Sequence, residues 1–382
     1  MNDIPFGRPM IGDEERAAVM EAMNDPILAH GPRGRQFEAD FAAWTGAPEA
    51  ITVSSCTAGL HLAWYTAGIG PGEEVIVPAQ THTATAHAVA YTGATPVFVD
   101  AERQTGNIDI HAIAAAVTPR TRGISVVHYL GMPVDMVRVM EIARAHDLFV
   151  VEDCALAIGT RLDGTHAGLF GDAGVFSFYP VKHMTTAEGG MVITRDGELA
   201  QRMRLRKAFG VDRAMHERKV PGIYDVVTLG FNFRMNELQA AIGIEQIKKL
   251  EGFLARRAEN ADALDKGLRD VPELTLFDRA AGRFEASHYC FNIILDEAVA
   301  DRRTDLIQAI NARGVGTSVH YPGPVPQTTY YRERSGHTPG DHPAAEWISN
   351  CSVALPVGPH LDAADMAKII DAVKDAVSEV LK

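Results

Sequence analysis

The sequence predicts an α/β protein: a large domain built on a mostly parallel sheet of seven strands, followed by a smaller C-terminal α+β domain. Between residues 50 and 196, short apolar runs rich in β-branched residues alternate with helical patterns, at the spacing of βαβ units. Several runs are almost entirely apolar, as strands are when helices cover both faces of a sheet. The length of 382 residues exceeds what one hydrophobic core usually fills.

Seven runs are predicted to be the strands of this sheet. They are Ile51–Ser55, Val75–Pro78, Pro96–Asp100, Gly123–His128, Leu148–Asp153, Ala173–Phe178 and Met191–Thr194. Most of these runs have polar residues at their carboxyl ends. Because an open parallel sheet binds its ligand outside those ends, a binding site is predicted there.

Helices are predicted between the strands, where apolar residues recur every three or four positions. Three of them are Thr57–Ala67, Thr83–Tyr91 and Asp135–His146. The last is expected to bury a stripe formed by Val137, Met140, Ile142 and Ala143.

A domain boundary is predicted near the strong helical pattern of Asn236–Leu254, which follows a long mixed loop at Gly210–Gly230. Residues 1–250 are assigned to the large domain and residues 251–382 to the small one. A loop of this length inside a compact protein is usually functional or disordered.

The small domain is expected to combine strands with amphipathic helices. The predicted strands are Tyr289–Leu295 and Gly316–His320, and the predicted helices are Arg303–Arg313 and Ala363–Leu381. The stretch Pro322–Asp341 is rich in Pro, Tyr and Gly and is expected to be an irregular surface loop.

Composition excludes several classes of function. A net charge of −13 argues against a surface for nucleic acids or anionic membranes, which needs clustered Lys and Arg. The four cysteines form no CxxC pair, so neither a zinc ribbon nor a disulfide framework is expected. Because no signal peptide and no membrane span are predicted, the expected compartment is the cytoplasm.

Lys182 is the first candidate for chemistry. It follows the apolar run Phe176–Val181 and precedes the hydroxyl-rich Thr185-Thr186 and the pair Gly189-Gly190. Lysines are usually solvated at the surface. At the end of an aromatic strand, however, desolvation lowers the pKa of the amine, and a neutral amine forms Schiff bases with carbonyls.

Asp153 is the second candidate, because it ends another apolar strand about 30 residues upstream of Lys182. Glu152 and Asp153 are adjacent and therefore face opposite sides of the strand. One carboxylate could face the ligand end of the sheet while the other makes a structural hydrogen bond. A Schiff-base lysine with an aspartate for a pyridinium nitrogen is what pyridoxal 5′-phosphate (PLP) requires.

A phosphate site is predicted at the small polar turn Ser54–Gly59, which leads into a helix. Free N–H groups at a helix N-terminus bind phosphate, although a plain Ser or Thr cap gives the same pattern. Ser177, five residues before Lys182, could donate a hydroxyl to the same phosphate.

Histidines complete the set of candidates. His82 follows a strand end and could stack on a pyridine ring, whereas its spacing from His87 does not suit two metal ligands on one helix face. His128, His183 and His320 are further candidates for lining the site.

Taken together, the motifs resemble those of the DegT/DnrJ/EryC1/StrS family of PLP-dependent sugar aminotransferases. The resemblance covers nearly the whole chain and is most specific in Phe176–Gly190 and in the segment Gly230–Asn236. It implies the fold-type I architecture of aspartate aminotransferase.

The resemblance also implies roles for individual residues. Lys182 corresponds to the lysine that binds PLP and moves the proton, and Asp153 to the partner of the pyridine nitrogen. Cys56, Thr57 and Ser177 correspond to phosphate-binding positions, and His82 to the residue stacked on the ring. Asn232 corresponds to an asparagine that reaches the phosphate of the neighbouring subunit, which implies a homodimer with shared active sites.

Two positions depart from the family pattern. Leu156 stands where the family usually has Gln or His in contact with the phenolic oxygen of PLP, and leucine cannot donate that hydrogen bond. His320-Tyr321-Pro322 resembles the family's His-Tyr strand end, but a histidine often found just beyond is missing. The substrate contacts of that region therefore cannot be transferred to this chain.

The leading hypothesis is an aminotransferase that moves an amino group from L-glutamate to a keto-sugar, expected to be a nucleotide-linked 4-keto-6-deoxyhexose, for polysaccharide or aminosugar biosynthesis. A keto-cyclitol or a keto-sugar acid is the alternative acceptor. A PLP-dependent sugar dehydratase is a less favoured alternative, because relatives with that activity carry histidine in place of the lysine. A non-catalytic regulator with the PLP fold is another, and the retained lysine, aspartate and phosphate turn argue against it.

Overall fold

The computed structural model describes residues 4–212, 220 and 223–381. Its N-terminal part contains nine strands, numbered here in chain order. They are β1 (Glu49–Val53), β2 (Glu74–Pro78), β3 (Thr95–Val99), β4 (Thr121–Val127), β5 (Phe149–Asp153), β6 (Arg161–Leu162), β7 (Thr165–His166), β8 (Ala173–Ser177) and β9 (Gly190–Thr194).

All seven predicted strands are present and form one sheet in the order β1-β9-β8-β5-β4-β2-β3. Strand β9 runs antiparallel to both of its neighbours, β1 and β8, and the remaining pairings are parallel. The link from β8 to β9, residues 178–189, contains no helix and returns the chain directly, as an antiparallel pair allows. This link carries Lys182. The observed sheet is therefore the mostly parallel sheet of seven strands that the sequence predicts.

Eight helices accompany the sheet in the described residues of this part. They are α1 (Asp13–Met23), α2 (Pro32–Thr45), α3 (Cys56–Ala67), α4 (Thr83–Ala90), α5 (Ile110–Ala116), α6 (Met136–Ala145), α7 (Gly197–Arg206) and α8 (Glu237–Leu268). Strands β2 and β8 are buried along their whole length, in agreement with their continuous apolar sequences.

Helix α6 corrects the predicted stripe. Of the predicted residues, Ala143 is buried, Met140 and Ile142 are half-buried against the core, and only Val137 is exposed. Met136 and Val139 are buried in addition. Met136, Val139 and Ala143 are spaced i, i+3 and i+7, as residues on one face of a helix are. Val137 lies on a different face from Ala143, so the two are not buried together.

The C-terminal part adds a second, smaller sheet with helices packed on it. Its elements are β10 (Leu274–Leu276), β11 (Phe284–Glu285), β12 (Phe291–Leu295), α9 (Arg303–Ala312), α10 (Thr329–Ser335), α11 (Pro343–Cys351), β13 (Ser352–Leu355) and α12 (Ala363–Val380). Strands β10, β12 and β13 form the sheet, while β11 pairs with β6 of the N-terminal part.

Two predictions for this part were wrong. The stretch Gly316–His320 is not a strand; Val315 and Ser318 form only isolated bridges, with Ile4 and Ala354. Pro322–Asp341 is not an irregular surface loop, because it contains a 3₁₀ turn and helix α10. Its Tyr331 is buried, and its hydroxyl lies 2.6 Å from His87 Nδ1 on α4, so burial of the ring and this hydrogen bond hold the segment in place.

Residue 250, the predicted end of the large domain, lies within α8. The division into 1–250 and 251–382 stays a prediction. Much of the predicted loop Gly210–Gly230, namely 213–219 and 221–222, lies outside the described residues. Within the described ranges, the helices are too short or too polar to cross a membrane.

Candidate active site

Lys182 lies in the turn that links β8 to β9, and its backbone N–H donates to the Tyr179 carbonyl at 2.9 Å. The side chain is half-buried, and its Nζ lies 4.9 Å from the centre of the Tyr289 ring. Burial lowers the pKa of this amine, and the Asp153 carboxylate offsets part of the effect. Among the described residues, none accepts a hydrogen bond from Nζ.

The hydroxyl-rich turn after Lys182 is held in place by hydrogen bonds. Thr185 Oγ1 donates to the Phe178 carbonyl at 2.9 Å, and the Thr186 N–H donates to the same carbonyl at 3.0 Å. Thr185 N–H also donates to Gln246 Oε1 on α8 at 3.2 Å. These bonds close the chain around Lys182 and fix the origin of its side chain.

Asp153 ends β5 and is buried, with 4% of its surface exposed. Its Oδ2 accepts from Thr85 Oγ1 at 2.7 Å, and its Oδ1 accepts from the Ala155 N–H at 3.0 Å and from Cys56 Sγ at 3.9 Å. The carboxylate is therefore oriented from three sides at the carboxyl end of the sheet.

Glu152 faces the other way, as strand alternation predicts. Its carboxylate accepts from His128 Nε2 at 3.0 Å and from the N–H groups of Gly168, Phe170 and Gly171 at 2.7–2.8 Å. Burial raises the pKa of this carboxyl, but the hydrogen bonds, led by that from His128, bring it below its ordinary value. Glu152 is thus the structural carboxylate of the adjacent pair.

His128, Glu152 and Cys154 form a buried group of metal-ligand type, the only one found among the described residues. The Val134 N–H already donates to His128 Nδ1 at 3.1 Å, so Nε2 carries the proton that Glu152 accepts. Because both ring nitrogens are engaged, His128 acts as a structural residue and does not line the site.

The predicted phosphate turn opens helix α3. Ser55 is the N-cap and accepts from the Ala58 N–H at 3.1 Å, and Cys56 is the first helical residue. Gly190 lies against this turn: a Cβ there would be only 2.7 Å from Cys56 N. Gly190 also pairs with Ser177 across β8 and β9, so Ser177 and the start of α3 lie on either side of the same glycine.

His82 is the N-cap of α4, where its Nδ1 accepts from the Ala84 N–H at 3.1 Å. Its ring centre lies 5.7 Å from that of Tyr321, with the planes inclined at 66°. Asn232 is exposed, and its Oδ1 accepts from Arg234 Nε at 2.9 Å. Thr57 is half-buried in the first turn of α3.

The remaining histidines differ in position. His320 packs edge-on against Tyr289, with ring centres 5.3 Å apart, and burial lowers its pKa to about 4. The His183 side chain is directed toward Ser287, and its Nε2 donates to the Ser287 carbonyl at 3.0 Å.

Sequence reasoning missed Tyr289 and Thr85, which contact Lys182 and Asp153. No local signal could have identified them, since each meets its partner from a distant part of the chain. Leu156 is buried and apolar, as its sequence implies, and its side chain offers no hydrogen bond.

The arrangement fits PLP. Lys182 offers an amine of lowered pKa, Asp153 an oriented carboxylate, and the start of α3 a set of backbone N–H groups. The close approach of Gly190 to Cys56 leaves no space for a side chain there, which keeps the turn small enough for backbone contacts with a phosphate.

Comparison with known proteins agrees with this site. The family model described as "DegT/DnrJ/EryC1/StrS aminotransferase family" matches residues 9–374. The chain is 39% identical to the spore coat polysaccharide biosynthesis protein SpsC of Bacillus subtilis, with 98% of this chain and 97% of that protein aligned.

Solved structures show the same similarity. The putative sugar aminotransferase Spr1654 of Streptococcus pneumoniae, known in PLP and PMP forms, superposes in its PMP form with a TM-score of 0.94 at 26% identity, over 99% of this chain and 100% of that one. PseC of Helicobacter pylori is an aminotransferase involved in the biosynthesis of pseudaminic acid. It superposes with a TM-score of 0.91 at 28% sequence identity, over 98% of this chain and 99% of that one. The chain therefore belongs to the DegT/DnrJ/EryC1/StrS family and is a PLP-dependent sugar aminotransferase.

Proposed function

We propose that this enzyme transfers an amino group from L-glutamate to a nucleotide-linked 4-keto-6-deoxyhexose, with Lys182 as the catalytic residue. The observation that carries the proposal is the Lys182 amine, which is desolvated and faces the Tyr289 ring near the Asp153 carboxylate. The sugar class is supported by relatives whose names connect them with a spore coat polysaccharide and with pseudaminic acid.

Different residues of the site bind different parts of PLP in this proposal. Lys182 would hold PLP through its amine, and Asp153 would be the partner of the ring nitrogen. Cys56, Thr57 and Ser177 would bind the phosphate, and His82 would pack against the ring. When bound, PLP supplies an electron sink for the carbon that loses a proton.

Lys182 would also act as the general base that takes the proton from the substrate carbon bearing the nitrogen, and as the general acid that returns it in the second half of the reaction. A lysine with an ordinary pKa is almost fully protonated at neutral pH and cannot accept a proton. Burial lowers the pKa of Lys182, so a larger fraction of the amine is neutral and available as a base. The bonds of Thr185 and Thr186 to Phe178 keep the origin of this side chain fixed during both roles.

We further propose a homodimer in which Asn232 of each subunit contacts the phosphate of the other, with residues 1–250 as the PLP domain and 251–382 as the small domain. Asn232 is exposed, and Arg234 donates to its Oδ1. Among the described residues none accepts from its Nδ2, which can therefore donate to a second subunit. The described residues near it expose the apolar side chains of Phe209, Val226, Val227 and Leu229. Exposed apolar surface of this kind typically marks an interface. Sedimentation at a monomeric mass would contradict the dimer.

The test of the function uses Lys182→Ala and Lys182→Arg beside the wild type. Purified protein is loaded with PLP, reduced with borohydride and digested, and the labelled peptide is identified by mass spectrometry. The wild type is expected to carry the label on Lys182 and to aminate a keto-acceptor from glutamate, and both variants are expected to do neither. Normal amination by Lys182→Ala would overturn the proposal.

The acceptor is identified by a panel. Keto-sugar nucleotides, a keto-cyclitol and a keto-sugar acid are offered to enzyme that glutamate has already aminated, and the loss of its absorbance is followed. Consumption of the 4-keto-6-deoxyhexose nucleotide alone is the expected result, whereas preference for either other class would replace the proposed acceptor.

A further inference from the structure

Ser287 joins the C-terminal part of the chain to the floor of the active site. It is buried, and its N–H donates to the Gly131 carbonyl at 3.1 Å. Its hydroxyl donates to the Leu156 carbonyl at 3.3 Å and accepts from Thr160 Oγ1 at 2.9 Å. The Ser287 carbonyl accepts from His183 Nε2 at 3.0 Å. Every polar group of this residue is therefore engaged.

The partners of Ser287 come from three loops. Gly131 follows β4, Leu156 and Thr160 follow β5, and His183 follows β8. These three strands are neighbours in the sheet, so one residue connects the loops at three adjacent carboxyl ends. A Cβ at Gly131 would meet Ser287 Oγ, which shows how closely the two segments approach.

The same segment places Tyr289 against Lys182. Tyr289 N–H donates to the Leu130 carbonyl at 3.0 Å, and Arg257 Nη1 donates to the carbonyls of His288 and Tyr289 at 3.2 and 2.8 Å. The backbone on both sides of the Tyr289 ring is thus fixed. His183, which bonds the Ser287 carbonyl, is the direct chain neighbour of Lys182.

We propose that Ser287 is a positioning residue for Lys182: it fastens residues 287–290 to the loops after β4, β5 and β8 and thereby holds the Tyr289 ring against the lysine amine. The inference rests on the proposed role of Lys182 as the residue that binds PLP.

The physical effect is the exclusion of water from one side of the amine. The Tyr289 ring lies 4.9 Å from Nζ and provides part of the burial around it. If residues 287–290 move outward, water reaches the amine, stabilises its charged form and reduces the neutral fraction. Misplacement of about 1 Å in a catalytic arrangement can itself cost roughly a hundredfold in rate.

The test compares wild type with Ser287→Ala in two measurements. The first is the pH at which Lys182 in the full-length, cofactor-free chain becomes half reactive toward an amine-acylating reagent, followed by peptide mapping. The second is kcat and KM of the PLP-loaded enzyme with glutamate. We expect the midpoint to rise by about one pH unit toward that of ordinary lysine and kcat to fall about tenfold, with a smaller change in KM.

Two controls separate positioning from loss of stability. Thr160→Val removes the hydroxyl that lies 2.9 Å from Ser287 Oγ and 2.8 Å from the Gly131 carbonyl, and it should shift the midpoint in the same direction. Thr160→Ser keeps the hydroxyl and should retain the wild-type midpoint. Ile369→Val trims the buried core of α12 away from the site and should leave the midpoint unchanged. If Ser287→Ala does not fold, the Thr160 pair decides the question.

The possible failures are distinguishable. A folded Ser287→Ala with wild-type midpoint and kcat, or an equal shift in Ile369→Val, overturns the positioning role and leaves the proposed function intact. Absence of a borohydride-fixed label on wild-type Lys182 overturns the proposed function instead.

Discussion

Thr85 donates its hydroxyl to the Asp153 carboxylate, with 2.7 Å between Oγ1 and Oδ2, although 68 residues separate the two in sequence. Thr85 is fully buried on α4, and its hydroxyl also lies 2.8 Å from that of Thr81. With the Ala155 N–H on the other oxygen, the plane of the carboxylate is fixed from both sides. Because the carboxylate is already oriented, it can bind a ring nitrogen without a further loss of conformational entropy.

Asp153→Asn is expected to preserve the shape of the site and remove its charge. Transamination should fall by about a hundredfold or more, the scale seen when a single preorganised electrostatic partner is lost. The measurement is kcat with glutamate, together with the thermal midpoint of unfolding as a check on folding.

Thr85→Val and Thr85→Ser are the matched pair for this prediction. Valine loses the bond to Asp153 and should reduce kcat less than Asp153→Asn does, while serine keeps the hydroxyl and should stay close to wild type. Full activity in Asp153→Asn would show that the carboxylate does not act on PLP.

Gly190→Ala is expected to disrupt the phosphate turn. The added Cβ would lie 2.7 Å from Cys56 N and 2.8 Å from the Phe176 carbonyl oxygen, and neither backbone atom can move freely. Overpacking of this kind costs about 1–3 kcal/mol or more, so both the free energy of unfolding and the affinity for PLP should decrease. Chemical denaturation and PLP titration measure the two effects.

Gly252→Ala is the control for that substitution. Gly252 lies within α8, and a Cβ there meets nothing within 4 Å. Alanine should therefore stabilise the helix by roughly 1 kcal/mol and leave PLP binding unchanged. If Gly190→Ala bound PLP as tightly as Gly252→Ala, the close approach at the turn would not matter for the cofactor.

His166 is expected to make the protein less stable in acid. It is buried, its Nε2 accepts from the Gly159 N–H at 2.9 Å, and burial lowers its pKa to about 4 from an ordinary 6.5. Between pH 6.5 and 4 the unfolded chain binds a proton on this residue that the folded chain does not. The free energy of unfolding should therefore fall with decreasing pH in this window, by about 3 kcal/mol from His166.

The measurement is urea denaturation at several pH values, compared with His166→Gln. The variant should be less stable at pH 7, because it disturbs the bond to Gly159, yet its stability should depend less on pH between 6.5 and 4. An unchanged pH dependence in the variant would assign the acid sensitivity to other groups.

Much of the fold could be predicted because its signals are local. The strand ending at Asp153 and the strand before Lys182 were both located within two residues, since buried parallel strands carry continuous apolar runs. The divergence of Glu152 and Asp153 follows from the two-residue period of a strand. The N-cap at Ser55 was recognisable from its small polar side chain before a helix.

Other features were not predictable in this way. Pro322–Asp341 has the composition of a loop, but Tyr331 packs on α4 and orders helix α10. Gly316–His320 has the sequence of a strand, but within it only Ser318 finds a bridge partner, Ala354. In both cases the secondary structure depended on the residues of other elements that the segment contacts in the fold.

The local sequence determined the strands of the sheet, the turn that carries Lys182 and the position of Asp153 at a strand end. Apolar periodicity and turn-forming residues act over a few positions, so short stretches of sequence carry these signals. Tertiary packing alone decided that Tyr289 covers the lysine, that Thr85 orients the aspartate and that Ser287 joins three loops. Each of these contacts joins residues that are far apart in sequence. They are stabilised by burial and hydrogen bonding, which exist only in the folded state, and so no short stretch of sequence can predict them.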